Sequence, residues 1–349
     1  MKLSESVEIE WQGRLAYHDE AQWQDIIRGE ILECALDAEK YGCEFSYTRE
    51  WQRGPHFNLR VRGNAMSAVK AKSDVDKRIV DLLRKRPSVK TLTLDSMGAL
   101  FQQRAAMAGT PLDSNWLANN SMSWDPPARV RPPSDIPALI RDFHFRATGP
   151  AIRLLTEAGV GRNLGVAACD LMAATASAFG HNGLVVASAS FHSHAEAYLC
   201  LQAPPQTRHQ WHEAAISVAP ALRERLFAIE SGDLTPWYVA EWIAAVEPVV
   251  EVSRQMHRSG NLQLPTIENG FSPELISRSP FHRDVTQTTA WAETMKEEWF
   301  QVYRVGLNLL YLQLSRMGFP PVSRYKFCYF VAHAVTSSRS ISNQEGAIR

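Results

Sequence analysis

The chain has 349 residues with 37 basic and 37 acidic side chains, so its formal net charge is zero. Hydrophobic residues make up 45% of the sequence and charged residues 21%, which excludes a globally disordered chain. The neutral total also excludes a uniformly basic nucleic-acid coat protein. A chain of this length is expected to form about two domains or one large one.

Cysteine usage and the lack of long apolar stretches indicate the compartment. The number of cysteines is odd and no C-x-x-C pair exists, which is typical of free thiols in a reducing compartment. The N-terminus MKLSESVEIEW has no apolar signal core. No apolar stretch approaches the ~20 residues that span a bilayer. We therefore expect a soluble, cytoplasmic protein without a membrane segment.

The first ninety residues predict an α+β unit. Apolar and acidic residues alternate over 7–11, which predicts a strand, and Asp19–Lys40 predicts a helix. Glu44–Trp51 and His56–Arg62 predict a β-hairpin around a Gly-Pro turn. A further helix is predicted over Asn64–Lys85. Strand, helix, strand, strand, helix is the order that begins a ferredoxin-like unit.

A Pro-rich loop separates this unit from a mainly helical part. The loop covers Thr110–Ser134 and contains a short predicted strand at Ala128–Arg131. The predicted helices after the loop are Ile136–Ala158, Arg162–Phe179, Gly183–Gln202, Thr207–Glu230, Pro236–Arg258, Asp284–Met317 and Val322–Ser337. Strands and helices are segregated, so we predict an α+β fold. The expected division is 1–134 and 135–349, with both parts packed as one compact unit.

Common catalytic signatures are missing from the sequence. It contains no dinucleotide-binding or phosphate-binding glycine loop, no G-x-S-x-G elbow and no H-E-x-x-H pair. The tightest histidine cluster is His192-Ser193-His194. Residues two apart on a helix diverge, so both imidazoles cannot face one metal ion there. We therefore predict no metal site, and the simplest interpretation of this segment is a polar helix edge.

A local excess of positive charge predicts an anionic partner. Between Arg53 and Lys90 there are eleven basic and three acidic residues, a net charge of +8. About half of these charges lie on one predicted helix, where a solvated face is the ordinary interpretation. Arg60 and Arg62 share one face of their predicted strand with His56, which makes these three residues the candidate binding residues.

Aromatic residues near the C-terminus are candidates for a site. Trp291, Trp299 and Tyr303 fall on the predicted helix Asp284–Met317, with the last two one turn apart. Packing in the core is the ordinary interpretation of this spacing. A tyrosine phenol that faces a cavity, however, can donate a proton.

Three segments together carry a family resemblance. W-Q-R-G-P-H-F-N-L-R over 51–60 resembles the hairpin of the lantibiotic dehydratase C-terminal domain. S-F-H-S-H-A-E-A over 190–197 is similar to a segment of its free-standing branch, the thiopeptide pyridine synthases. Residues 307–325 resemble the terminal helix pair of that family. The order and spacing of the three segments extend the resemblance over nearly the whole chain.

The resemblance implies a macrocyclising enzyme without a cofactor. Such an enzyme joins two dehydroalanines of a thiazole-rich peptide in a formal aza-cycloaddition, then releases water and the leader peptide to form a pyridine. We expect Tyr303 to act as hydrogen-bond donor or general acid and His194 as base or shuttle. The other candidates are Ser193 and Asn308 for amide contacts, Trp291 and Trp299 for the cavity wall, and Arg60, Arg62 and His56 for the acidic leader.

Two other functions stay open at this stage. The same fold could eliminate glutamate from glutamylated Ser or Thr, with Arg60 and Arg62 holding the glutamyl carboxylate. A module that binds nucleic acid or peptide through the basic segment is the third reading, which the neutral total charge disfavours. We expect a modified precursor peptide as partner and no nucleic acid. Since relatives often pair, a homodimer also stays open.

Overall fold

The computed structural model describes residues 7–96, 113, 115–133, 135–262, 264 and 271–345, with side chains up to residue 336. The chain divides into two units. The first comprises Met1–Arg162 with Ser315–Pro321, and the second comprises Asn163–Leu314 with Val322–Arg349. The division near residue 134 that the sequence suggests stays a prediction.

The first unit is built on an antiparallel sheet. Its strands are β1 (Glu8–Ala16), β2 (Glu44–Glu50), β3 (His56–Asn64), β4 (Ser121–Trp124) and β5 (Ala128–Arg129). The strand order is β2-β3-β1-β4, and β5 pairs with the same edge of β1 as an extra strand. This is the strand order of a ferredoxin-like unit, and the predicted α+β fold is therefore confirmed.

Three helical segments accompany this sheet. They are α1 (residues 20–39, with a π turn at Ile27–Ile31), α2 (Ala65–Lys85) and α3 (Ile136–Ala158). The Asn64 side chain caps α2 by accepting from the Met66 amide, and Asp135 caps α3. Small and branched residues at helical spacing bury the inner face of α2, namely Ala68, Ala71, Val75, Ile79 and Leu82.

The second unit is helical over its described residues. Its longer helices are α4 (Leu164–Phe179), α5 (Gly183–Leu201), α6 (Thr207–Ser231) and α7 (Trp237–Arg258), followed by α8 (Pro273–Arg278), α9 (Pro280–Thr286), α10 (Thr289–Thr294), α11 (Glu298–Arg316) and α12 (Pro321–Glu345). The last residues of α11 and the first of α12 are grouped with the first unit.

The prediction of one long helix over Asp284–Met317 is wrong, because three helices cover these residues. The side chains of Ser279 and Thr288 accept backbone N–H bonds at the starts of α9 and α10. Such local side-chain bonds compete with helix continuation and end the preceding turn. As a result, Trp291 lies on α10, whereas Trp299 and Tyr303 lie on α11.

Across the described ranges, we find no helix with both the length and the apolar character needed to cross a membrane.

Candidate active site

A cavity of about 470 Å³ lies within the second unit. Helices α5, α9, α10 and α11 supply most of its walls. Five of the residues predicted from the sequence line it: Ser193, His194, Trp291, Trp299 and Tyr303. The rest of the lining is mostly aromatic and aliphatic, including Phe271, Phe281, Phe300, Val285 and Leu307. The cavity is thus a largely apolar chamber with a few polar groups in its wall, as is usual for small-molecule sites.

Stacked aromatic rings form the walls of this chamber. The ring of Trp291 stacks on Phe271 with centroids 5.3 Å apart, and the edge of Phe300 approaches it at 5.6 Å. Trp299 stacks on His181 at 4.9 Å. Such paired faces offer flat, apolar surfaces that suit planar rings.

Tyr303 contributes a buried hydroxyl to the cavity wall. It projects from α11 and is fully buried, and its hydroxyl donates to the carbonyl oxygen of Ala187 on α5 at 3.2 Å. Burial raises the pKa of the phenol far above its ordinary value. Tyr303 therefore stays protonated and is available as a hydrogen-bond donor.

His194 is held by one of its two ring nitrogens. Its Nδ1 lies 2.5 Å from the hydroxyl of Tyr311, which in turn lies 3.6 Å from Cys328 Sγ. Nε2 makes no hydrogen bond to any described residue. Burial lowers the pKa of His194 to about 3, with smaller contributions from positive neighbours such as Arg324. The imidazole is therefore neutral at physiological pH, and its Nε2 is free to meet a substrate.

Ser193 lies beside His194 in sequence but has a different partner. Its Oγ is 3.0 Å from Nε2 of His282, a fully buried histidine on α9. The other ring nitrogen of His282, Nδ1, is 2.8 Å from the Oγ of Ser279. The hydroxyl of this cavity-lining serine is thus hydrogen-bonded to a buried histidine.

Two residues of this arrangement are absent from the candidates chosen by sequence. Tyr303, Leu307 and Tyr311 are spaced four apart on α11 and share one helix face, so this spacing could have drawn attention to Tyr311. Nothing in the sequence connects His282 with Ser193, because only the packing of α9 against α5 brings them together. Conversely, the predicted Asn308 is exposed and lies outside the cavity lining.

The predicted binding arginines line a separate cavity of about 600 Å³ in the first unit. Both are paired with carboxylates of the protein. Arg60 Nη1 contacts Glu10 Oε1 at 2.8 Å. Arg62 bridges Glu44 Oε2 at 2.7 Å and Asp142 Oδ1 at 2.5 Å. The charges of both arginines are therefore partly neutralised by ion pairs within the protein itself.

His56, the third predicted binding residue, is buried and does not line this cavity. Its Nδ1 lies 2.7 Å from the carbonyl oxygen of Gly54, and its Nε2 lies 3.5 Å from Glu50 Oε2. Burial opposes ionisation of Glu50, but hydrogen bonds from His56 and Asn58 hold its pKa well below the ordinary value. His56 therefore shapes the hairpin from inside.

Most of the positive charge predicted over 53–90 is neutralised locally. Ten of the eleven basic side chains in this segment form ion pairs with carboxylates. Three other arginines rim the cavity, are exposed and have no carboxylate partner among the described residues: Arg129, Arg131 and Arg141. The part of the cavity rim that can still attract an anion therefore lies around β5 and the start of α3.

Within the ranges that the structure describes, no group of three or more His, Cys, Asp or Glu side chains is placed to hold a metal ion.

Comparison with known proteins gives a match in structure only. No family model matches the sequence, and no curated protein is significantly similar to it. Among solved structures, the pyridine synthase TbtD from thiomuracin biosynthesis matches with a TM-score of 0.73 and 25% identity, over 95% of this chain and 99% of that one. The chain resembles a pyridine synthase over nearly its whole length. The family resemblance predicted from the three sequence segments is therefore confirmed.

Two further structures are similar to this pyridine synthase-like chain. TsrL matches with a TM-score of 0.64 and 18% identity, over 95% of this chain and 96% of that chain. The tRNA-dependent lantibiotic dehydratase MibB from Microbispora sp. 107891 matches with a TM-score of 0.46 and 14% identity, over 97% of this chain but 29% of that one.

Proposed function

We propose that this protein is a peptide macrocyclase of thiopeptide biosynthesis that builds a pyridine from two dehydroalanines of a modified precursor peptide. The observation that carries the proposal is the full-length similarity to TbtD, a pyridine synthase from thiomuracin biosynthesis. The aromatic chamber of the second unit adds support, because its residues suit this chemistry.

The proposed reaction needs no oxidant or reductant. One amide takes its imidic tautomer, which turns the attached dehydroalanine into a 2-azadiene. Two carbon–carbon bonds then join this diene to the alkene of the second dehydroalanine and close a six-membered ring. Loss of water removes the former amide oxygen, and loss of the leader as a carboxamide removes the second nitrogen. Each elimination takes one ring hydrogen, which leaves an aromatic pyridine.

The main task of the enzyme is to bring two distant alkenes of one chain together. Restricting that motion can lower the barrier by up to ~7–11 kcal/mol. The chamber of about 470 Å³ has the volume of an ordinary small-molecule site. The Trp291–Phe271 pair offers a flat face to a thiazole next to the reacting alkene.

Proton exchange with the amide and with the leaving groups is assigned to the polar groups of the wall. We propose that the Tyr303 hydroxyl leaves its resting acceptor and donates to the amide oxygen, which favours the imidic tautomer. His194 offers Nε2 as donor or acceptor according to its tautomer, which Tyr311 controls through Nδ1. Typical general acid–base assistance of this kind is worth ~10²–10⁴-fold in rate.

The leader peptide is proposed to bind at the cavity of the first unit. Arg60 and Arg62 form its wall while remaining paired with carboxylates, and His56 supports the hairpin from behind. The exposed arginines of the rim add charge that an acidic leader can neutralise.

Mass spectrometry of one reaction tests the proposed function. The protein is incubated with a thiazole-bearing peptide that carries a leader and two dehydroalanines. We expect a product lighter by the leader carboxamide plus water, together with the free leader carboxamide. A matched peptide with alanine in place of one dehydroalanine is expected to stay unchanged.

The same assay separates the lyase alternative. A glutamate-eliminating lyase leaves the dehydrated peptide intact and instead converts a glutamylated Ser or Thr peptide to dehydroalanine with release of glutamate. Such a result would contradict the proposed cyclisation.

A further inference from the structure

We infer that His282 and Ser279 are positioning residues that fix the Ser193 hydroxyl as a hydrogen-bond acceptor toward the cavity, where it receives a substrate amide N–H. This inference deepens the proposed function and depends on it for the identity of the substrate. No contact of this kind was expected from the sequence, and both positioning residues are fully buried.

The contacts form a chain that runs from the cavity wall into the core. Ser193 lines the cavity, and its Oγ lies 3.0 Å from Nε2 of His282. His282 Nδ1 lies 2.8 Å from Ser279 Oγ. Both ring nitrogens are therefore used, and the tautomer of His282 decides whether Ser193 donates to it or accepts from it.

The role of Ser279 as a helix cap favours one direction of this hydrogen-bond chain. Ser279 is the N-cap residue of α9, and its Oγ accepts from the backbone N–H of His282 at 3.3 Å. Its oxygen can accept a second bond, and in the inferred arrangement Nδ1–H of His282 donates it. Nε2 is then unprotonated, so the Ser193 proton is drawn to it and the Ser193 lone pairs face the cavity.

Burial keeps this direction constant over physiological pH. The rings of Phe271 and Phe281 contact the imidazole of His282 edge-on, with centroids 4.3 and 5.1 Å away. Burial lowers the pKa of His282 to about 4, against a smaller opposing effect of Glu196. The imidazole is therefore neutral at pH 6–8, and Nε2 stays an acceptor.

A serine bonded to a histidine also suggests a covalent nucleophile, but the backbone argues against that role. Ser193 lies in the middle of α5, where the amide N–H groups are bonded within the helix. A nucleophilic serine needs N–H donors near its oxygen to stabilise a developing oxyanion. Ser193 is therefore assigned as a hydrogen-bond acceptor.

An acceptor at the amide nitrogen complements a donor at the amide oxygen. The imidic tautomer requires the nitrogen to release its proton as the oxygen gains one. Tyr303 supplies the donor, and Ser193, held by His282, supplies the acceptor.

Alanine variants of two capping serines separate this positioning role from a merely structural one. Ser279→Ala removes both the cap and the partner of Nδ1. Ser272→Ala is the matched control, because Ser272 caps the neighbouring α8 by accepting from the Leu275 amide at 3.2 Å and forms no hydrogen bond with a histidine of the described chain. Both variants lose one cap, which costs about 1 kcal/mol of stability. Ser279→Thr keeps a hydroxyl and tests rescue.

The direct readout is the tautomer of His282, measured by two-bond ¹⁵N–¹H correlation in protein labelled at histidine. We expect the Nδ1–H form in the wild type, in Ser272→Ala and in Ser279→Thr, and a mixture of forms in Ser279→Ala. For the dehydrated peptide, Ser279→Ala is expected to lower kcat on the order of 10²-fold with KM nearly unchanged. Ser272→Ala should keep kcat within about twofold of the wild type.

An Nε2–H tautomer in the wild type overturns the inference, as does an unchanged kcat in a Ser279→Ala protein whose tautomer has changed. Failure of the proposed function gives a different pattern. In that case neither the wild type nor any variant produces pyridine. The ¹⁵N–¹H spectrum still shows the direction of the hydrogen bonds between Ser193, His282 and Ser279.

Discussion

The two cavities of this protein handle charge in opposite ways. Charged side chains line the cavity of the first unit, and two of its five lining arginines, Arg60 and Arg62, are paired with carboxylates. The chamber of the second unit is mostly aromatic and aliphatic, and Arg304 is the one Lys, Arg, Asp or Glu among its described lining residues. A charged wall attracts a charged ligand from a distance, whereas an apolar wall excludes water from what it encloses.

Two arginines illustrate the difference. Burial opposes the charge of Arg62, but Glu44 and Asp142 more than offset it and raise the pKa of the guanidinium. Burial lowers the pKa of Arg304 in the aromatic chamber. The same desolvation keeps His194 and His282 neutral and Tyr303 protonated. We conclude that the first cavity is suited to binding and the second to proton exchange between neutral groups.

The largest expected effect comes from removing the donor of the aromatic chamber. Tyr303→Phe keeps the ring and should lower pyridine formation by ~10²–10⁴-fold. Tyr47→Phe is the control, because Tyr47 is equally buried and its hydroxyl also faces a backbone carbonyl, that of Arg316 at 3.5 Å. Turnover rates and circular dichroism are measured for both variants. Equal rates for the two would remove Tyr303 from the proposed mechanism.

Neutral histidines in the second unit predict that stability falls with acid. The folded pKa of His282 is about 4, below its ordinary value of 6.5, so the unfolded chain binds more protons between these values. The free energy of unfolding should fall as the pH drops through this window, by about 3 kcal/mol for His282.

Urea unfolding at pH 7 and pH 4.5 measures this loss. The difference between the two pH values should shrink in His282→Gln, which cannot titrate. The exposed His209 on α6 provides the control variant His209→Gln. Between pH 7 and pH 4.5 this variant should lose as much stability as the wild type loses. An identical pH response of His282→Gln and wild type would contradict the burial of a neutral imidazole.

The binding role of the first cavity is tested by reversing the charge of its rim. Arg129→Glu, Arg131→Glu and Arg141→Glu combined should weaken leader binding on the order of tenfold at low salt, since each exposed pair is worth about 0–1 kcal/mol. Fluorescence anisotropy of a labelled acidic leader is followed at low and high ionic strength. We expect the wild-type affinity to fall with salt and that of the variant to change less.

A lysine on α2 provides the matched control for this experiment. Lys70 is exposed and has no ion pair in the described structure, and it lies outside the cavity lining. Lys70→Glu should leave leader affinity nearly unchanged. A salt-independent affinity in the wild type would remove the anionic partner from the first cavity.

The smallest expected effect concerns the aromatic wall. Trp291→Ala removes the ring stacked on Phe271 and should raise KM about fivefold with a smaller change in kcat, since an aromatic pair is worth about 0.5–1.5 kcal/mol. Trp237→Leu alters an aromatic residue of α7 outside the chamber and serves as control. A change in kcat with KM unchanged would contradict this binding role and indicate that Trp291 contacts the reacting atoms.

Local sequence patterns determined the elements of this protein and part of its site. Alternation over 7–11 and 56–62 predicted strands that pair in the sheet, and the helix predicted over Ile136–Ala158 has those limits in the structure. Five candidate residues, including Tyr303 and Ser193, line one chamber. Periodicity succeeds here because each pattern reflects a face that the element itself must bury.

Only the tertiary structure decided which charges are free and which polar groups meet. The net charge of +8 over 53–90 is largely cancelled by ion pairs, most of whose acidic partners lie outside that segment, such as Glu10, Asp19 and Asp142. His282 lies 89 positions from Ser193 and meets it only through packing of α9 near α5. Pairing across such distances depends on how whole helices and strands pack, which no short sequence window records.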